Sequence, residues 1–236
     1  MTFRLTIATT MIGLALAATP ALAKKKKEAP VPEAAPTAAP APAPVLSVLV
    51  DTDITHEPEN VLLLDLSDGG RVAIRLMPQW APHHVERIKT LTEQGFYNGI
   101  IFHRVIEGFM AQTGDPTGTG QGGSKLPDLQ AEFNSIPNVR GMVAMARTNE
   151  PNSANSQFFI VFYPRFSLDH KYTVFGRVIS GMQYVDAIQR GEPPANPTKI
   201  VQASMASDNK APPPAAPAAP AATTITADQL SKSKSN

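Results

Sequence analysis

Arg104 sits in a setting that needs a physical explanation. It lies in the run Phe102-His103-Arg104-Val105-Ile106, and Phe109-Met110 follow after a Glu107-Gly108 break. A guanidinium stays charged in a protein, and burying it among apolar groups without a partner is costly. Two arrangements satisfy it. A carboxylate can pair with it, or it can stand at the edge of a pocket and meet a ligand. The first is the commoner, because structural ion pairs often imitate functional sites. The residues around Arg104 leave both arrangements open by themselves.

Other chemistries find no support. The chain has no cysteine, which removes a disulfide framework, thiolate metal sites and a cysteine nucleophile. No G-x-S-x-G or H-E-x-x-H run occurs, so no signature of nucleophilic or zinc hydrolysis is present. Gly118 to Gly123 matches G-x-G-x-x-G, but Pro127 follows shortly and no βαβ unit surrounds it. His83 and His84 are adjacent on a predicted helix, so their side chains diverge by about 100°. They read as surface or capping residues, not metal ligands. His103 alternates to the face opposite Arg104 and reads as a hydrogen-bonded structural histidine. No metal or cofactor is expected.

The elements that position these residues are mostly strands. Val61 to Leu66 and Arg71 to Leu76 flank Ser67-Asp68-Gly69-Gly70, a predicted hairpin. A helix is predicted from Pro82 to Gly95, with Ala81, Val85 and Ile88 on one face. Ile100 to Ile106 and Phe109 to Thr113 make two further strands, joined at Gly108. A Gly-rich excursion runs from Gly114 to Pro137. Strands follow at Gly141 to Arg147, Gln157 to Phe162 and Tyr172 to Ile179. A short helix is predicted from Met182 to Arg190, and a last strand from Thr198 to Met205. About eight strands and two helices predict a closed barrel, because closure removes exposed edges. Side chains fill so small a barrel, which puts the ligand site on its outer face.

Three blocks carry a family resemblance. FHRVIEGFMAQTGD from Phe102 to Asp115 resembles one signature of the cyclophilin-type peptidyl-prolyl isomerases. Met145-Ala146-Arg147 through Asn155-Ser156-Gln157-Phe158-Phe159-Ile160 resembles the other. Leu168-Asp169 with Tyr172-Thr173-Val174-Phe175-Gly176 resembles the closing segment. Together they cover about Val61 to Ser204. The resemblance implies a mainly β fold, a closed eight-stranded antiparallel barrel capped by two α-helices. It implies isomerisation of Xaa-Pro bonds in polypeptide substrates, with Arg104 as catalytic donor. Phe109, Met110, Phe159 and Leu168 would form the proline pocket. Gln112 and Gln157 would bind substrate backbone or orient Arg104. Backbone at Ala146 and Arg147 would pair with an extended peptide, and Tyr172 takes the place of a pocket histidine. Glu107 stands where the family usually has proline, Thr113 where it has glycine, and Ser167 where it commonly has tryptophan. A non-catalytic module that binds Pro-containing chains is the alternative on the same barrel.

Composition divides the 236 residues. Arg4, an apolar run from Leu5 to Ala18 and Ala21-Leu22-Ala23 read as a signal peptide over 1–23. The run is short for a membrane span, which needs about 20 apolar residues, so stable membrane insertion is not expected. Residues 24–44 form a Lys/Pro/Ala-rich linker, 45–206 the folded domain and 207–236 a Pro/Ala-rich tail. Both tails have too little apolar bulk for a core and are expected to be disordered. The net charge of +1 gives no reason to expect nucleic acid as a partner. An exported monomer, periplasmic or else secreted, acting on Pro-containing chains is the expectation.

Overall fold

A computed structural model describes residues 48–214. The expected signal peptide over 1–23, the expected linker over 24–44 and the tail beyond Pro214 lie outside the described residues. The strands are β1 Val61–Leu66, β2 Arg71–Leu76, β3 Arg104–Ile106, β4 Met110–Thr113, β5 Met142–Met145, β6 Phe158–Val161, β7 Val174–Ser180 and β8 Ile200–Met205. The helices are α1 Pro82–Glu93 and α2 Met182–Ala187. All strand pairs are antiparallel, in the order β3-β4-β6-β5-β7-β2-β1-β8, forming a half-barrel.

The ladder does not run unbroken around a ring. The predicted strand Ile100 to Ile106 pairs as a ladder only from Arg104, and Ile101 makes an isolated bridge to Lys199. Hydrogen bonds from Gly99 N–H to Ile200 O at 2.7 Å and from Phe102 N–H to Thr198 O at 2.9 Å link this segment to the start of β8. The second helix is also shorter than predicted. At Ile188 the backbone turns extended, with φ −56° and ψ 128°. That turn carries Gly191 back against β3, where it bridges Val105.

Period-2 alternation builds the two faces of the sheet. Phe158, Ile160, Val143, Met145 and Phe175 point into the main core with Leu62, Leu64, Ile74 and Leu76. Phe159, Val161, Met142, Ala144 and Val174 point the other way and form a second buried cluster with Met77, Trp80 and Met110. Phe109, Ala146, Leu168 and Tyr172 pack against that second cluster. The side-chain filling expected of the interior is therefore present, and the candidate residues belong to the opposite face.

Pro82 opens α1, and no side chain of the preceding residue caps it. Glu132 does so from the long loop. Its carboxylate accepts the His83 and His84 backbone N–H groups at 3.2 and 3.1 Å and approaches both ring Nδ1 atoms at 2.6 Å. An acidic group at this end also complements the helix dipole. His83 is at the surface as expected, but His84 is fully buried. Hydrophobic burial of this helix face outweighs the polarity of one imidazole that keeps a carboxylate partner. His103 departs from expectation as well: it is buried, and neither ring nitrogen has a hydrogen-bond partner among the described residues. Burial lowers the pKa of both histidines, because the charged form loses its water.

The boundary drawn after Ala206 cuts through a placed segment. Ala206–Asp208 is a 3-10 turn. Arg71 Nη2 donates to Lys210 O at 3.0 Å and Gln202 Nε2 to Ala211 O at 3.1 Å. Residues 207–214 thus lie against β1, β2 and β8, which composition could not show.

Candidate functional site

The site is a row across the sheet. Arg104 on β3 faces Gln112 on β4, Gln112 faces Phe159 on β6, and Phe159 faces Ala144 on β5. Directly opposed residues on neighbouring strands are side-chain neighbours. This register brings residues of the first and second sequence blocks together. Gly108 makes the turn between β3 and β4 with φ 67°, a conformation that glycine adopts without steric cost.

Beside the row lies a cavity of about 130 Å³, lined by Arg104, Phe109, Met110, Gln112, Ala146, Arg147, Phe159, Leu168 and Tyr172. Nine of the ten residues singled out in the sequence meet there. The tenth, Gln157, lines an adjoining cavity of about 600 Å³ that shares Gln112, Ala146, Arg147 and Tyr172. The smaller cavity has an apolar floor. Met110 and Phe159 are buried, and Phe159 meets the Tyr172 ring edge-on at 5.6 Å between centroids. Phe109 carries two cations near its ring, Arg104 at 5.9 Å and Arg165 at 4.9 Å.

Both arrangements considered for Arg104 hold together. Its Nε donates to Glu192 Oε2 at 2.8 Å, and it also stands on the cavity wall. Its side chain is 38% exposed and that of Glu192 54%. The carboxylate is therefore at the surface and not in the core. Nη1 and Nη2 make no hydrogen bond among the described residues.

The two amides bond to each other and do not hold Arg104 in place. Gln112 Nε2 donates to Gln157 Oε1 at 2.8 Å, and neither side chain hydrogen-bonds Arg104. Gln157 Nε2 in turn donates to Gly120 O at 3.1 Å and Gly122 O at 2.7 Å, which ties the Gly-rich loop to the sheet. Asp115 holds the same loop from within, accepting N–H groups of Thr117, Thr119, Gly120 and Gly122. Burial pushes its carboxyl up, but the Thr117 hydroxyl and these N–H donors outweigh that and set its pKa at about 2.

Past the end of β5, one of the two backbone donors at Ala146 and Arg147 is already engaged. The Ala146 N–H is taken by Gln157 O at 2.9 Å. The Ala146 carbonyl and the Arg147 N–H remain open among the described residues. The Arg147 side chain turns away from the cavity floor. It donates to Lys171 O and Thr148 O at 2.9 and 2.8 Å, and its guanidinium lies 4.7 Å from the Tyr172 ring centre.

Sequence reasoning missed Glu192 and Arg165. Neither lies in a motif, and only the fold of the loops brings them to Arg104 and Phe109. A rigid apolar slot with one open guanidinium edge and a backbone edge beside it can seat a small ring, hold an extended chain and direct a donor at an amide.

Known proteins agree with this geometry. The model of the cyclophilin-type peptidyl-prolyl cis-trans isomerase family matches residues 61–205. A probable peptidyl-prolyl cis-trans isomerase of Brucella suis is 49% identical over 177 residues, covering 68% of this chain and 90% of that protein. The human peptidyl-prolyl cis-trans isomerase-like 3 is 45% identical over 129 residues, covering 52% of this chain and 79% of its own. Among solved structures, a cyclophilin from Hirschia baltica superposes with a TM-score of 0.60 at 31% identity, over 64% of this chain and 76% of that one. A Cryptosporidium parvum cyclophilin, determined in the presence of the dipeptide Ala-Pro, superposes with a TM-score of 0.58 at 27% identity over 61% and 98%. With a family model over more than half its length and a bacterial relative matched almost end to end, this chain belongs to the cyclophilin-type peptidyl-prolyl cis-trans isomerases.

Proposed function

We propose that Arg104 is the catalytic donor of this isomerase and that the 130 Å³ cavity receives the proline ring of the substrate. The observation that carries the assignment is the free Nη edge of Arg104 beside an apolar floor of Phe109, Met110, Phe159 and Leu168. Rotation about a prolyl bond needs no acid, base or nucleophile. Amide resonance sets a barrier of roughly 20 kcal/mol. At the transition state the prolyl nitrogen turns pyramidal and regains its lone pair. A donor already aimed at that nitrogen stabilises the twisted amide over both planar forms. Each ~1.4 kcal/mol of this preference gives tenfold in rate.

The remaining residues hold the chain in place. The open Ala146 carbonyl and Arg147 N–H pair with extended substrate backbone, and Gln112 offers its amide beside them. Tyr172 and Phe159 close the slot against water, which strengthens the Arg104 contact. The likeness to a Cryptosporidium cyclophilin determined in the presence of Ala-Pro supports a site for short Pro-containing peptides here.

The same reading treats the sheet as a barrel closed through the 99–102 and 198–200 bonds. It places the enzyme outside the cytoplasm, in the periplasm, assisting exported proteins. The support for location is the Arg4, apolar-run and Ala21-Leu22-Ala23 pattern. No helix among the described residues is long and apolar enough to cross a membrane. A protease-coupled assay on a short Ala-Pro peptide, paired with NMR mapping of the peptide, tests the site. Acceleration with shifts centred on Phe109 and Phe159 is expected. Acceleration with shifts elsewhere would reject the assigned cavity, and binding without acceleration would make the barrel a binding module.

A further inference from the structure

We infer that Glu192 is a positioning residue for Arg104, an inference that rests on the catalytic role proposed for that arginine. The chain after α2 returns as an extended piece and bridges β3 at Gly191 and Val105. Both bridge hydrogen bonds are made, Val105 N–H to Gly191 O at 2.8 Å and Gly191 N–H to Val105 O at 2.9 Å. In an antiparallel pair this register sets residue 192 opposite residue 104, where cross-strand side chains meet. Glu192 Oε2 accordingly receives Arg104 Nε at 2.8 Å.

The contact is one of two that cross the bridge in opposite senses. Arg190 Nε donates to Glu107 Oε2 at 2.7 Å on the other side of Val105. Arg190 is itself anchored, through Nη1 to Asp186 O at 2.7 Å and by its guanidinium lying 4.4 Å from the Phe162 ring centre. The loop therefore comes to β3 at a defined height, and the carboxylate meets Arg104 from a fixed side. A planar guanidinium held at Nε can turn only about one hinge. Its Nη edge then stays on the cavity wall instead of sweeping through solvent.

An exposed ion pair of this kind contributes little to stability. Its consequence is orientation of a donor before substrate arrives, which lowers the barrier without new substrate contacts. Neutralising part of the Arg104 charge acts the other way. Orientation prevails here, because the carboxylate is itself half in water and screened while its geometry is fixed by the bridge.

The test uses the full chain and its Glu192→Ala and Glu192→Gln variants, together with Arg104→Ala with and without Glu192→Ala. In Glu192→Ala, kcat/KM on an Ala-Pro peptide should fall about fivefold, the rate equivalent of the upper range for an exposed pair. Peptide affinity by NMR titration and Tm should stay unchanged. Glu192→Gln keeps an acceptor for Nε and should recover most of the loss. In the Arg104→Ala background, Glu192→Ala should cost nothing further. Unchanged or raised kcat/KM in Glu192→Ala overturns the inference, as does a loss that persists without Arg104 or follows Tm. If Arg104→Ala alone is fully active, the catalytic assignment itself fails, a result distinct from the others.

Discussion

Arg75 and Arg104 sit on opposite halves of one sheet, and their guanidinium groups are engaged differently. Arg75, on β2, is buried and makes no hydrogen bond to a carboxylate among the described residues. Its Nε donates to Asp51 O at 3.2 Å, Nη1 to His56 O and Glu57 O at 2.7 and 3.1 Å, and Nη2 to Asp53 O. All three nitrogens of the fork bind backbone carbonyls of the segment that leads into β1. Arg104, on β3, commits Nε to Glu192 and leaves both Nη atoms toward a cavity. Burial alone would rank Arg75 as the more unusual residue. The open donors are what separate a group that holds structure from one free to act on a ligand.

Substituting each arginine puts that contrast at risk. The largest effect is expected from Arg104→Ala. It should lower kcat/KM by on the order of 10² to 10³, the usual cost of removing one preorganised donor, with Tm nearly unchanged. Arg104→Lys should recover little, since an ammonium cannot hold Nε and present a planar edge together. Full activity per folded molecule in Arg104→Ala would erase the difference between the two arginines.

Arg75→Ala should behave in reverse. Leaving four carbonyl contacts of a buried fork unmade should cost about 3 kcal/mol of stability. Chemical denaturation reads that loss. Turnover, corrected for the folded fraction, should match the parent protein. A stable but inactive Arg75→Ala protein would show that the two halves of the sheet communicate.

Asp115 sharpens the comparison with a smaller effect. It lies beside the Arg104 site, yet its carboxylate is fully taken by the donors of its own loop, as Arg75 is by carbonyls. Its pKa of about 2 in the folded chain lies below the unfolded value of 3.8. A depressed carboxylate stabilises the fold above its unfolded pKa, and the contribution vanishes as pH falls through the folded value. Roughly 2 kcal/mol should therefore be lost between about pH 4 and pH 2. Asp115→Asn should lose a similar amount at neutral pH and flatten that part of the pH–stability curve. An unchanged acid limb in Asp115→Asn would contradict the assignment.

The strands and the residues that line the cavity were readable because both depend on local pattern. The unbroken apolar run Phe158-Phe159-Ile160-Val161 marks a strand covered on both faces, and Gly108 marks the turn that brings Gln112 back beside Arg104. The three motif blocks named the residues that line the cavity. Where the reading stopped, a long-range contact had decided the outcome. The strand at Ile100 did not extend its ladder, because residues 99–102 bond to the start of β8 across about a hundred positions. His84 is buried with its helix face and keeps as partner Glu132, a residue far along the chain that no local pattern points to. The two glutamines bonded to each other and to Gly120 and Gly122, a geometry that neither residue type dictates.

Sequence by itself determined the family, the alternation that sends Phe159 and Met110 to the outer face, and the arginine that needed a partner or a ligand. Tertiary structure alone decided that Arg104 has a partner on one nitrogen and none on the other two. That division depends on Gly191 meeting Val105 in antiparallel register. Local preference fixes which face a side chain takes. The distance between two loops is set only when the whole sheet closes its hydrogen bonds around a packed core.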